Sequence, residues 1–200
     1  MALCGGLLAK RDPDAERVIA AIVSCESAQR DEFGREHDHF KLVGQDNVRR
    51  YQPFENVCIR VHSEDSTFEV FARACAAHIA GCRATVSIPT GLATAPANLL
   101  EELTESWAGA IEFVEESDAQ LVAKIQGGQM ERVRFAAPNR VPLEVLHAGN
   151  EAGRCIVSTP VSGEGRLEML WYLHEQSIST DYHRYGNLGL RANERRAEVL

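Results

Sequence analysis

The sequence predicts an α/β fold: a Rossmann-like, open, mostly parallel sheet of about five strands, with helices on both faces. Short β-branched runs alternate with amphipathic helical segments at intervals of about 20–27 residues, which is typical of right-handed strand–helix–strand crossovers. Five such strands are too few for a (β/α)-barrel, which needs eight units. The alternation stops near residue 175, so the sheet is predicted to lie in the middle of the chain.

Each element has its own local signal. An N-terminal helix is predicted at 13–34, where Val18, Ile22 and their apolar neighbours recur at helical spacing behind Asp12 and Pro13. The predicted strands are 57–61, 84–88, 110–114, 132–136 and 155–158. The predicted helices that follow them are 68–79, 99–107, 119–126, 141–150 and 165–173, and Gly81 and Gly127 are suited to end two of them.

The pattern divides the chain into three segments. Residues 1–52 form an N-terminal helix and a polar connector, and residues 53–175 form the Rossmann-like domain. Residues 176–200 form an extended β arm and a frayed, charged end, because Ile178, Thr180 and Tyr182 alternate with polar residues and no helix follows. An arm of this kind is expected to leave the sheet and lie on another surface.

Composition excludes several classes of function. The net charge of −8 argues against a nucleic-acid or anionic-membrane partner, since both are bound mainly through clustered Lys and Arg. No apolar run approaches the ~20 residues of a membrane span, and the N-terminal run is too short for a secretory signal. We therefore expect a cytoplasmic protein.

The six cysteines fit a reducing compartment. Their spacing does not resemble a disulfide framework, and there is no CxxC pair to bind zinc. Cys58, Cys75 and Cys155 lie in apolar segments, where each is expected to be a small buried hydrophobe.

A dinucleotide site is not expected. Such a site needs glycines between the first strand and its helix, so that backbone amides can reach the pyrophosphate. The corresponding turn, His62 to Thr67, has no glycine, and it places Glu64 and Asp65 where they would repel phosphates. A later Gly163-Glu-Gly165 opens the last helix, and it is interpreted as a turn rather than a nucleotide motif.

Two other candidate sites are weaker than their structural alternatives. His37 and His39 could bind a metal, but no third ligand is identifiable, and a solvated connector is favoured. Cys75 has His78 one helical turn further on, although a thiol nucleophile also needs an oxyanion donor. That pair is interpreted as a core thiol and a partly buried histidine. No catalytic, cofactor-binding or metal-binding residue is assigned.

An aromatic and cationic cluster near the C-terminus is the candidate interface. Large rings with polar tips suit protein interfaces, although they could equally pack back on this chain's own sheet. The candidate interface and arm residues are Tyr172, Gln176, Ser177, Ile178, Tyr182, His183, Arg184, Tyr185 and Asn187. They would serve either a partner protein or self-association.

Three segments resemble a known family. GQDNVRRY at 44–51, the unit at 57–87 and especially LWYLHEQSISTDYHRYGNL at 170–188 are similar to the C-terminal domain of long bifunctional proline utilization A proteins. Those proteins carry proline dehydrogenase and L-glutamate γ-semialdehyde dehydrogenase on one chain, with FAD and NAD as cofactors. The resemblance covers nearly everything from residue 35 to residue 190.

The resemblance implies a role that is not catalytic. In that family the C-terminal domain is aldehyde-dehydrogenase-like, and it is followed by a β-flap. It covers the aldehyde dehydrogenase module and helps to seal the cavity through which the intermediate passes. The arm at 177–187 would be the flap, and this chain would itself bind no cofactor. The chain would then be a fragment or a stand-alone remnant, since it has neither a proline dehydrogenase barrel nor a catalytic-cysteine motif.

Two alternatives stay open from the residues alone. One is an independent NAD(P)-dependent aldehyde-dehydrogenase-like oxidoreductase. The other is a regulatory α/β domain that binds a metabolite at the carboxyl ends of its strands, near 63–66 or 87–91.

Overall fold

A computed structural model describes residues 2–183 and 185–194, and it contains two sheets. The strands are β1 (Gln45–Pro53), β2 (Asn56–Arg60), β3 (Arg83–Pro89), β4 (Ile111–Glu116), β5 (Arg132–Arg134), β6 (Cys155–Val157) and β7 (Leu173–Asp181). The α-helices are α1 (Ala2–Lys10), α2 (Ala15–Ala28), α3 (Thr67–Ala80), α4 (Ala95–Leu103), α5 (Asp118–Gln126), α6 (Leu143–Glu151) and α7 (Gly165–Glu168).

The larger sheet confirms the predicted fold class. Its five strands are all parallel, in the order β4-β3-β2-β5-β6. The chain moves outward from β2 through β3 to β4, and then returns past β2 to add β5 and β6 on the other side. The direction therefore reverses between β2 and β5, which is the topological switch point of a doubly wound sheet.

Two apolar clusters cover the two faces of this sheet, as predicted. Val57 and Ile59 of β2 pack with α3, α4 and the N-terminal helices, whereas Cys58 packs with α5 and α6 on the opposite face. The alternation follows from the two-residue period of a strand.

Helix α3 shows how closely local sequence sets an element's ends. Ser66 and Glu69 form a capping box at its start, since the Ser66 side chain accepts from the Glu69 amide and the Glu69 side chain accepts from the Ser66 amide. Gly81 ends the helix in the left-handed region, with φ of 92°. The predicted helix at 68–79 is thus extended by one residue at each end.

Several elements differ from the prediction. The polar connector contains β1, which pairs antiparallel with β7 in a two-stranded ribbon, so the first and third predicted segments meet there. Helix α1 was not predicted. Helix α4 begins at Ala95 because Thr94 caps it, and the helix predicted at 165–173 is one α-turn and a 3-10 turn before β7. Cys155 is exposed rather than buried, because β6 is an edge strand.

No helix in the described part of the chain is both long enough and apolar enough to cross a lipid bilayer.

Candidate functional site

The switch point between β2 and β5 forms a crevice at the carboxyl ends of these strands, and a doubly wound sheet places its ligand there. In this chain an arginine of α3 fills it. Arg73 donates from Nη1 to the carbonyl of Arg60, at 2.9 Å, and to the carbonyl of Arg134, at 3.2 Å. These residues end β2 and β5, so one guanidinium bridges the two strands across the crevice.

A buried carboxylate balances this arginine. Arg73 Nη2 lies 2.5 Å from Asp65 Oδ2, and both side chains are buried. Arg140 lies 2.7 Å from the other oxygen of Asp65 and 3.0 Å from Glu69. Asp65 is therefore held by two arginines rather than placed to meet a phosphate, whereas Glu64 stays exposed.

The N-terminal amides of α3 already have hydrogen-bond acceptors within the chain. The Phe68 amide donates to Asp14 Oδ2 at 3.0 Å, and the Glu69 amide donates to Ser66 Oγ at 3.2 Å. The Thr67 hydroxyl donates to Asp12 Oδ2 at 3.0 Å. Because helix N-terminal amides are what a Rossmann fold offers to pyrophosphate, the chain's own carboxylates occupy that position here.

A third charged cluster lies beside the crevice, at the ends of β3 and β4. Arg60 lies 2.5 Å from Asp118 and donates to Ser87 Oγ at 2.8 Å. Glu116 accepts from Ser87 and pairs with Lys124. A shallow cavity of about 270 Å³ remains in front of Arg60. With Arg73 in the crevice and Asp14 on the α3 amides, these residues do not fit a dinucleotide.

The structure places Tyr172 in the core rather than on a surface. Its side chain is fully buried, and its hydroxyl donates to Glu168 at 3.2 Å. Glu168 in turn forms two bonds of 3.0 Å with the buried Arg134. Burial raises the pKa of Tyr172 well above its usual range. Tyr172 therefore follows the alternative reading, in which the ring packs on its own domain.

The remaining arm residues on β7 lie in the ribbon. Gln176, Ser177 and Ile178 pair with Arg50, Arg49 and Val48 of β1. Gln176 and Ser177 are exposed and Ile178 is half-buried. Arg50 Nε donates to the side-chain oxygen of Gln176 at 2.7 Å, so β1 and β7 are also joined by side chains.

After β7 the chain turns back over β1. The Tyr182 amide donates to the Gly44 carbonyl at 2.9 Å, and His183 Nδ1 lies 3.0 Å from the same oxygen. Tyr185 is fully exposed, and Asn187 accepts from the Gly189 amide. Arg184 lies outside the described residues.

The other candidates of the sequence have structural roles. Gly165 is needed because a Cβ there would lie 2.2 Å from the backbone nitrogen of Cys25, where α7 meets α2. Burial raises the pKa of the Cys25, Cys58 and Cys82 thiols to about 12, and that of Cys75 further still. Because the thiolate is the nucleophile, these four thiols are not activated.

The histidines stack on aromatic rings. No trio of metal-ligating side chains converges among residues 2–183 and 185–194. His37 and His39 stack on each other at 5.4 Å, and each uses one ring nitrogen on a protein partner. His78 stacks on Trp107, at 3.9 Å between ring centroids.

Comparison with solved structures first identifies the fold. The chain has an aldehyde-dehydrogenase-like Rossmann fold. A protein of Burkholderia cenocepacia assigned as an aldehyde dehydrogenase matches with a TM-score of 0.56 and 18% identity, over 72% of this chain and 30% of that one. Histidinol dehydrogenase from Elizabethkingia anophelis matches with a TM-score of 0.53 and 18% identity, over 77% and 37%.

One match is more specific. Proline Utilization A (PutA) from Corynebacterium freiburgense has a TM-score of 0.54 and 26% identity, over 87% of this chain and 14% of that one. The resemblance to an aldehyde-dehydrogenase-like domain of PutA is thus confirmed, and the chain spans only a small part of that protein. No family model matches the chain. No curated protein matches it either.

Proposed function

We propose that this chain is a non-catalytic, aldehyde-dehydrogenase-like domain that packs on the aldehyde dehydrogenase module of a bifunctional proline-oxidising enzyme. There it covers the cavity through which the intermediate passes from one active site to the next. The proposal rests on the similarity to PutA together with the ion network in the crevice. The parent enzyme would use FAD and NAD, and this chain would bind neither.

The observation that carries the non-catalytic part of the proposal is Arg73 at the switch point. A dinucleotide could enter only if this guanidinium left two strand-end carbonyls and the Asp65 carboxylate. Moving the guanidinium would break a buried ion pair and leave two strand-end carbonyls without their donor, and a weak ligand cannot offset that cost. Covering a cavity, by contrast, needs no cofactor. It needs a folded domain with an exposed strand edge that can pair with the neighbouring module, and the ribbon provides such an edge.

Titration with NAD⁺ tests the non-catalytic part. The full chain, folded by circular dichroism, is titrated in a calorimeter beside an active aldehyde dehydrogenase as positive control. We expect no saturable heat from this chain at millimolar NAD⁺. A micromolar dissociation constant would overturn the proposal and favour an independent oxidoreductase.

A further inference from the structure

A large open groove lies outside the crevice. It has a volume of about 720 Å³ and lies on one face of the ribbon. Asn47 and Arg49 of β1 and Glu175 and Ser177 of β7 form its floor, since alternate residues of paired strands share a face. The segment before β1, which includes Phe40 and Leu42, forms its wall.

The floor contains a cation with few partners. Arg49 Nη2 donates to His39 Nε2 at 3.1 Å. Its Nη1 is 3.9 Å from Glu175, which is beyond hydrogen-bond distance, and its Nε is buried without a hydrogen-bond partner. A guanidinium has five N–H donors, so Arg49 retains capacity for an anionic acceptor in the groove.

The histidine pair supplies an aromatic surface. His37 Nε2 lies 2.9 Å from the Glu32 carbonyl, which can only accept, so this nitrogen donates. His39 Nε2 faces an arginine, which can only donate, so this nitrogen accepts. Both nitrogens are therefore committed, and the parallel rings, inclined by 11°, remain as a flat surface.

The wall is apolar and exposed. Phe40 is 62% exposed and Leu42 is 48% exposed, although both are residues that gain by leaving water. The groove therefore combines an apolar wall, two stacked rings and one guanidinium with free donors. This combination suits a flat, apolar molecule with one negative charge.

We propose that this groove binds a small aromatic carboxylate, with the carboxylate on Arg49 and the ring between the histidine pair and the Phe40–Leu42 wall. Glu175 disfavours ligands with two negative charges, because it already faces Arg49. The inference does not rest on the proposed function, since it is argued only from the groups that line the groove.

The test uses the full chain and two matched probes, 3-phenylpropionate and its neutral amide, titrated by calorimetry. The acid is expected to bind in the millimolar range or tighter, and the amide at least about tenfold more weakly, as for loss of a charged hydrogen bond. Arg49→Gln should weaken binding of the acid by a similar factor, and Glu175→Gln should strengthen it.

Two leucine variants distinguish binding in the groove from nonspecific binding to exposed apolar side chains. Leu42→Ala should weaken binding, whereas Leu143→Ala, which removes a still more exposed leucine from α6, should leave it unchanged. These substitutions are at exposed positions, so the variants should fold even if Arg49→Gln does not. Equal binding of acid and amide, equal effects of the two leucine variants, or no binding at all would overturn the proposal.

Discussion

At the scale of single residues, the chain depends on two buried arginines, Arg73 and Arg134. Arg73 and Arg134 are fully buried, and each donates to backbone carbonyls as well as to one carboxylate. Their guanidiniums fix the ends of β2 and β5 relative to α3 and α7. Removing one partner of such a pair leaves the other charge buried and uncompensated.

Glu168→Gln should therefore be strongly destabilising. The Gln side chain cannot neutralise Arg134, and the expected loss in the free energy of unfolding is about 3–5 kcal/mol. The matched control is Glu102→Gln, in the exposed pair with Lys10, where less than about 1 kcal/mol is expected. Urea unfolding of both variants checks this, and similar losses would show that burial of the Arg134 pair contributes little.

His78 gives a second residue-scale prediction, on pH. Burial lowers the pKa of His78. The unfolded chain therefore binds a proton that the folded chain does not, between the two pKa values. The His78 contribution to stability is then present above the unfolded value, near 6.5, and is lost as the pH falls.

The stacked indole reports this titration. Protonated imidazole quenches indole emission, so Trp107 fluorescence in a Trp171→Phe background should fall on acidification, with a midpoint below about 6.5. His78→Gln should abolish the step. A midpoint above 6.5, or a step that persists without the imidazole, would contradict the assignment.

At the scale of elements, the sequence predicts what local signals encode. All five strands of the parallel sheet and the helices α2, α3, α5 and α6 were located, because each has its own apolar periodicity, and α3 and α5 also begin with a capping box. Helix α1 was missed because Gly5 and Gly6 weaken its propensity, and it depends on Leu3 and Leu7 packing in the core.

Strand β1 was missed for a different reason. Its residues are all half-buried, so they show no alternation, and its partner β7 lies up to 136 residues away in sequence. Pairing over that distance leaves no local signal. The Arg73 side chain in the crevice was missed as well. An arginine within the apolar run of α3 is the one sequence feature that could have indicated a buried cation.

The contact between α2 and α7 gives an element-scale prediction. Gly165→Ala would place a methyl group 2.4 Å from Cys25 Cα, and because that is backbone, the two elements must separate. We expect a loss of about 1–3 kcal/mol in the free energy of unfolding. Gly5→Ala in α1 is the control, since nothing lies within 4 Å of its Cβ, and it should stabilise by up to about 1 kcal/mol.

At the scale of the whole molecule, the apolar core lies around the parallel sheet, and the ribbon contributes Leu173 and the half-buried Tyr51 to it. No member of either apolar cluster, among the described residues, lies beyond Leu173. The ribbon instead holds the exposed face of β7, polar pairs with β1 and the groove of Arg49. Stability is therefore concentrated in the sheet, and the proposed function assigns docking to the ribbon.

Deletion of residues 176–200 should then remove partner binding without unfolding the sheet. The truncated chain is expected to unfold cooperatively within a few degrees of the full chain, because both clusters are intact. Its binding to an aldehyde dehydrogenase module of C. freiburgense PutA, prepared without the region that matches this chain, should be lost in co-elution experiments. Thr180→Arg, on the exposed side of β7, should weaken binding in the otherwise full chain. This variant tests the ribbon even if the truncated chain is unstable.

Undiminished binding by both variants would mean that the ribbon is not the docking surface. Failure of the full chain to bind would count against the covering role itself.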